Sequence, residues 1–448
     1  MNNGSVKYDE STLEMLDKIE FYPTKPPFKD KPISNARFNI FARKVEKIRK
    51  FLEEHKEDLH YQIRELRSFA CSPGGLVMDE FRAQIWPILA ENIPGPSDLL
   101  RDETESSCSD SDFESAVSTL SNFNEEETDS DKEEEKIKDV ESEKVDDAVI
   151  VELPPPSEED LKTHSEWNQV QMDVNRTLAR FPPDITEFAR KSLQTDLIPL
   201  IVRVLWENKN FRYYQGFHDI CLTLILVLGV EDGYKVAKIL SERSAFTNYL
   251  TGSLEKTAMV ELQYLYVLLY KANMGLEKYL RGADLGTLFA LSWPITWFSH
   301  SLDEYSDVVL CFDLFLSSHF LMPVYLGAAL ISEREDEIFR TEQEMPMLHG
   351  LLSHIPSTVD IGRVIERARD IYNDYPPLLA TDHYRREYEK EVERDRETSR
   401  RMRQMRLPAE TLKRKNILDL LKDPTVTAGI VLSAGVGIAY AYFKMSYG

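Results

Sequence analysis

Cysteine is scarce. Cys71, Cys108, Cys221 and Cys311 are the only four, and no two form a CxxC pair. Neither a zinc site nor a disulfide framework is indicated, and a reducing compartment fits such usage. The recurrent catalytic signatures are also missing: there is no GxxxxGK phosphate loop, no GxGxxG, no HExxH and no GxSxG. Nothing therefore points to an enzyme with its own cofactor, metal or nucleophile. His349 and His354 stand five apart, the wrong spacing for a metal pair on one helix face. Residues 1–34 hold four prolines and no apolar run, so no secretory signal is read there. Alternating strand-like segments with hairpin turns are rare as well, which leaves an all-α class as the expectation.

Basic excess is the remaining absence. Over 448 residues, 54 Lys and Arg face 77 Asp and Glu, a formal net charge of −23. A chain so acidic lacks the footprint that nucleic-acid binding requires. The charge is not evenly spread. Residues 101–160 carry 23 acidic and 5 basic side chains, a net of −18, and the other 388 residues carry only −5. That stretch has 14 apolar residues in 60 and closes on Pro154-Pro155-Pro156. It cannot bury enough surface to offset its ordering entropy, and a disordered insertion over 95–160 is expected. Ser107, Ser109 and Ser111 stand beside Asp110, Asp112 and Glu114 within it. That spacing suits an acidophilic kinase, so the insertion reads either as a solvated linker or as a phospho-tunable gate.

Order is expected in two pieces around the insertion, 36–94 and 161–380. In the first, Phe41, Val45, Ile48 and Leu52 recur at helical spacing. In the second, Trp167, Val170, Val174, Leu178 and Phe181 line one helix face, which Pro182 terminates. Apolar helical segments then follow closely, among them Leu197–Trp206, Ile220–Val230, Val260–Tyr270, Leu285–Phe298, Val308–Ser317 and Met322–Ser332. Residues 1–35 read as a flexible arm and 381–423 as a charged helix or linker that turns basic toward its end.

Thr425 to Phe443 contains no charged residue. Nineteen residues at about 1.5 Å each span about 28 Å, close to a bilayer core of about 30 Å. Bases lie upstream and only Lys444 downstream, which places the bulk of the chain on the cytosolic side. The reading is a tail anchor over 424–443 with a short luminal tail, 444–448; a buried core helix is the alternative. Gly429, Ser433, Gly437 and Ala441 repeat every fourth residue, a stripe on which a second membrane helix could pair.

Three polar motifs stand in order along the helical regions. Arg82 and Trp86 form R-x-x-x-W. Val170, Asp173 and Arg176 follow, with the carboxylate one helical turn before the guanidinium it could hold. Tyr213-Tyr214-Gln215-Gly216 comes third, directly before His218 and Asp219. This ordered triple resembles the signature of the TBC domain, the module of GTPase-activating proteins for Rab GTPases, with Val170 in place of the usual isoleucine. The resemblance covers about residues 70–345 and includes Ser292-Trp293-Pro294-Ile295-Thr296-Trp297-Phe298 and Cys311-Phe312-Asp313. With the anchor and Arg180-Phe181-Pro182-Pro183, the chain is similar to the endoplasmic-reticulum-anchored branch of that family.

The resemblance implies a two-subdomain helical fold, a Rab of the endoplasmic reticulum to Golgi step as partner, and a cytosolic domain anchored in the endoplasmic reticulum membrane. Arg176 would be an arginine finger and Gln215 a glutamine finger that replaces the GTPase's own. Asp173 would orient Arg176, and Tyr213 and Gly216 would set the loop of Gln215. GTP and Mg would belong to the partner, with no cofactor of the chain's own. Arg82 and Trp86 are assigned to structure, Asp313 to a buried donor, and His218 and Asp219 to packing or helix capping. A TBC-like scaffold that only binds a Rab is the alternative; the presence of both Arg176 and Gln215 argues against it.

Overall fold

A computed structural model describes residues 35–93, 156–179, 182, 186–377 and 383–420. Every regular element among them is a helix. The arm, most of the acidic insertion with its three serines, Phe181, the anchor with its small-residue stripe and the luminal tail lie outside the described residues. Among those described, no helix is long and apolar enough to cross a membrane. The chain divides into two compact units, the first ending at Pro377 and the second beginning at Leu378.

The first unit opens with α1 (Asn35–Glu54), which buries Ala42, Val45, Ile48 and Leu52 on one stripe. Phe41 is only half-buried, and Ala42 takes the place expected for it. Next comes α2 (Ile63–Cys71), whose end is clasped by Lys44 of α1. The Lys44 ammonium donates to Phe69 O at 3.0 Å, Ser72 Oγ at 2.8 Å and Pro73 O at 3.0 Å. Burial there pushes the lysine down to about 8. A turn at Gly74-Gly75, both at positive φ, leads into α3 (Asp79–Glu91), which buries Phe81, Arg82, Ile85 and Trp86.

After the insertion come α4 (Trp167–Leu178) and α5 (Glu187–Glu207), the latter N-capped by Thr186. The next helix, α6 (Phe217–Arg243), is buried along most of its first half and breaks at Gly229, where φ is 77° and ψ is −177°. Helices α3 and α5 pack on α6, and α4 packs on α5. The remainder includes α7 (Ala258–Ala272), α8 (Tyr305–Leu316), α9 (Met322–Glu333) and α10 (Ile361–Asp374) among shorter helices. Here α9 lies against α7 and α10, and α8 reaches back to α2 and α3. The second unit contains α11 (Arg385–Leu420), a long charged helix laced with pairs such as Arg401–Glu397.

One expected helix is absent. Leu285–Phe298 is broken into a 3-10 turn at Leu288–Ala290 and a short helix at Ser292–Ile295. Pro294 has no N–H to donate, which suits the first turn where the helix restarts just before it, although α3 and α5 carry Pro87 and Pro199 in their interiors. Trp297 and Phe298 then adopt positive φ, 46° and 66°. This reversal stacks Phe298 on Trp293 at 5.5 Å and sends Trp297 against Phe246 at 5.0 Å and Phe312 at 5.2 Å. Burial of these large rings offsets the cost of two non-glycine residues in that region, about 1–3 kcal/mol each.

A buried polar hub joins the two pieces of the domain across the insertion. Asp313 of α8 is fully buried. It accepts from Trp86 Nε1 at 2.7 Å, Leu76 N at 2.8 Å, Arg82 Nη2 at 3.0 Å and Arg82 Nε at 3.1 Å. Arg82 also donates to Asp79 at 2.8 Å, and Tyr305 donates to the other oxygen of Asp79 at 3.0 Å. Burial opposes the charge on Arg82, but the two carboxylates outweigh it and hold the guanidinium firmly protonated. A Cβ on Gly75 would sit 2.3 Å from Asp313 Oδ2, so only glycine lets the backbone come this close.

Candidate functional site

The site begins with the periodicity of α4. Val170, Val174 and Leu178 face the core, and the same face carries Asp173, 1% exposed, and Thr177, 3% exposed. Arg176 lies on the opposite margin in the last turn, its side chain 63% exposed. A buried carboxylate needs donors, and Asp173 has three. Arg176 Nη2 donates to Oδ1. Gln169 Nε2 and Tyr213 Oη donate to Oδ2 at 3.2 and 3.0 Å. One end of the Arg176 guanidinium is thus tethered, and the rest is presented to solvent.

The tyrosine bond carries the site to a second element. Tyr213 opens the loop Tyr213–Gly216 that enters α6. Tyr214 is buried and donates its hydroxyl to Ile295 O at 2.8 Å. Its ring meets Phe217 and Tyr249, each at 5.9 Å. Contacts run on through Phe246, Trp297 and Phe312 to Trp86, so the loop is moored to the core that contains the Arg82 hub. Gly216 has φ of 125°, and a Cβ there would lie 2.8 Å from Thr296 Cγ2. A side chain would strain the turn on both counts. Between these fixed neighbours Gln215 is exposed. Burial and the negative charge of Asp173 push the Tyr213 phenol far above its ordinary range, so it stays a neutral donor.

His218 and Asp219 are packed as expected, and His218 Nδ1 accepts from the N–H of Gly216, the N-cap residue of the helix they begin. Both are 3% exposed and belong to a hydrogen-bonded cluster under the loop. His218 Nδ1 lies 2.7 Å from Tyr213 Oη and 3.3 Å from Gly216 N, and Nε2 lies 2.9 Å from Thr177 Oγ1. Thr177 donates to Asp219 Oδ1 at 3.2 Å, and Asp219 Oδ2 faces His300 Nδ1 at 2.9 Å. Burial pushes the imidazole of His218 down, and the neutral ring is the form the cluster accommodates. A signal for this was present in the sequence. Two polar residues at the head of the apolar run Phe217–Val227, all but Leu226 of it buried, require partners, and Thr177 is one helical turn from Asp173 on the same face.

The predicted residues therefore fall into two places. Arg176, Asp173 and Tyr213 are joined by hydrogen bonds, and exposed Gln215 and Gly216 follow in the loop that Tyr213 opens. Arg82 and Trp86 lie apart from them in the buried hub with Asp313. No group of three His, Cys, Asp or Glu side chains among the described residues could hold a metal ion.

An exposed arginine and an exposed glutamine are thus held on fixed neighbours within an all-helical fold. The chain belongs to the Rab-GTPase-TBC domain family, whose family model matches residues 79–339, and it carries the RabGAP domain of that family. Within it, the chain is similar to TBC1 domain family member 20 of Mus musculus. The two are 32% identical over 350 residues, covering 78% of this chain and 72% of the relative. It is also similar to GTPase-activating protein gyp10 of Schizosaccharomyces pombe, 29% identical over 210 residues, 46% of this chain and 54% of the relative. Among solved structures, the Ypt/Rab-GAP domain of Gyp1p aligns with a TM-score of 0.48 at 15% identity, covering 74% of this chain and 99% of that one.

Proposed function

We propose that this chain accelerates GTP hydrolysis on a Rab GTPase by supplying Arg176 and Gln215 in trans. One observation carries the reading: exposed Arg176 is tethered to buried Asp173, and Asp173 is tethered to Tyr213, two residues from exposed Gln215. Two unlike polar groups are thereby presented from adjoining elements. A Rab is slow alone because charge on the transferring phosphoryl is incompletely neutralised and the attacking water is loosely oriented. A guanidinium supplied in trans meets the first need, typically by about 10³–10⁵ in rate. An amide, both donor and acceptor, meets the second. Nucleotide and Mg belong to the Rab.

The partner in this reading is a Rab of the endoplasmic reticulum to Golgi step, and the domain works from the cytosolic face of the endoplasmic reticulum membrane. Support comes from the uncharged segment Thr425–Phe443 with bases before it. The stripe Gly429, Ser433, Gly437 and Ala441 offers that anchor a face for helix pairing. The test is single-turnover GTP hydrolysis across a panel of Rab proteins. Strong stimulation of an early-secretory Rab is expected. Stimulation confined to Rabs of other compartments would refute the pathway, and binding without stimulation would refute the activity.

A further inference from the structure

We propose that His218 is a positioning residue shared by both fingers, holding the Arg176 helix and the Gln215 loop in one register. The proposal rests on the assignment of Arg176 and Gln215 above. Its basis is where the two ring nitrogens lie. Nε2 is 2.9 Å from the hydroxyl of Thr177, the residue directly after Arg176. Nδ1 is 2.7 Å from the hydroxyl of Tyr213 and 3.3 Å from the amide of Gly216, and Tyr213 and Gly216 bracket Gln215. A single imidazole thus contacts the neighbours of both fingers and touches neither finger itself.

The protons in the cluster can be counted. Thr177 donates its one proton to Asp219 Oδ1, so toward His218 it must accept. Nε2 therefore carries the ring proton and Nδ1 offers a lone pair. Gly216 N–H points at that lone pair, and the hydroxyl of Tyr213, whose one proton is shared with Asp173 Oδ2, faces it at 2.7 Å. Tyr213 has one proton and two acceptors, Nδ1 at 2.7 Å and Asp173 Oδ2 at 3.0 Å. It is held between the histidine and the carboxylate that tethers Arg176. No smaller side chain reaches Thr177 and Tyr213 at once, and an apolar ring would remove the acceptor of the Gly216 amide and one of the two contacts that each hydroxyl makes.

The two halves of this contact can be cut separately. His218→Asn places an amide near Nδ1 and keeps the loop contacts but loses Thr177. His218→Gln reaches toward Nε2 and keeps Thr177 but loses the loop. Displacement of a finger by about 1 Å costs up to about 10²-fold in rate, so each variant is expected to lose roughly 10- to 100-fold in maximal single-turnover rate. Half-saturation by the Rab should stay within about twofold, because contact area is untouched. The decisive readout is non-additivity in the full chain. His218→Asn should cost less than about threefold once Arg176 is alanine, and His218→Gln less than about threefold once Gln215 is alanine. Losses that multiply in both backgrounds, or wild-type rates in both variants, would overturn the proposal. If Arg176→Ala and Gln215→Ala themselves leave stimulation intact, the finger assignment fails first and the proposal with it. Should either histidine variant not fold, Thr177→Val and Tyr213→Phe each delete one hydroxyl, and the same additivity rule applies to them.

Discussion

Asp313→Asn tests the claim that Arg82 and Trp86 serve the fold rather than the chemistry. The substitution keeps size and shape. It replaces a carboxylate by a single carbonyl oxygen and turns an NH2 toward donors. Oδ1 of Asp313 receives the N–H groups of Trp86 and Arg82 Nε, and Oδ2 those of Leu76, Arg82 Nη2 and, at 3.2 Å, Arg82 Nε as well. Whichever way the amide lies, at least one buried donor loses its acceptor. Arg82, 1% exposed, also loses the charge that balances it, and Asp79 alone remains. Breaking a buried pair of this kind costs about 3–5 kcal/mol. A domain of this size shifts by about 2–4 °C per kcal/mol, so the melting midpoint should fall by roughly 6–20 °C. Far-UV circular dichroism during heating measures it. Well below both midpoints, the stimulated rate per folded molecule should stay within about twofold of wild type. An unchanged midpoint, or a large loss of rate in fully folded protein, would refute the structural assignment.

Gly216→Ala meets both a positive φ and a Cβ 2.8 Å from Thr296; strain of about 1–3 kcal/mol should lower the melting midpoint by a few degrees and the stimulated rate by more than tenfold. His319 is pushed down to about 4 by burial, and its Nδ1 accepts from Leu321 N at 3.1 Å, a bond that protonation at Nδ1 would break. Its folded pKa lies below the unfolded value near 6.5, so the unfolded chain binds the proton first, and stability is lost as pH falls from about 6.5 to about 4. His319→Gln should make that decline shallower in urea titrations at several pH values. Removal of residues 424–448 should move the protein from the membrane pellet to the supernatant on fractionation, since an uncharged span of this length is what would hold it there.

Much of this organisation could be read from the residues before any coordinates. Val170, Val174 and Leu178 announce the buried face of α4 through a spacing of four, and the Asp173–Arg176 pair follows from the same geometry. What could not be read depends on contacts between segments distant in the chain. Asp313 meets Arg82 across 231 positions, and no local pattern encodes that pairing. The break in Leu285–Phe298 has no clear local signal: apolar residues run through it, and Pro87 and Pro199 sit inside unbroken helices, so Pro294 alone does not announce a break. For His218 and Asp219 the position at a helix start gives packing and capping, but not their partners. Their partners Thr177 and His300 come from elsewhere in the chain, so the cluster becomes visible only when the chain is folded.

The central claim is that Arg176 and Gln215 act in trans on a bound Rab. Single-turnover hydrolysis of GTP by the Rab, with saturating wild-type, Arg176→Ala or Gln215→Ala protein of matched folded fraction, tests it most directly. Loss of about 10³-fold or more in stimulation is predicted for Arg176→Ala and a clear loss for Gln215→Ala, with Rab binding retained in both. Stimulation that survives Arg176→Ala would contradict the account.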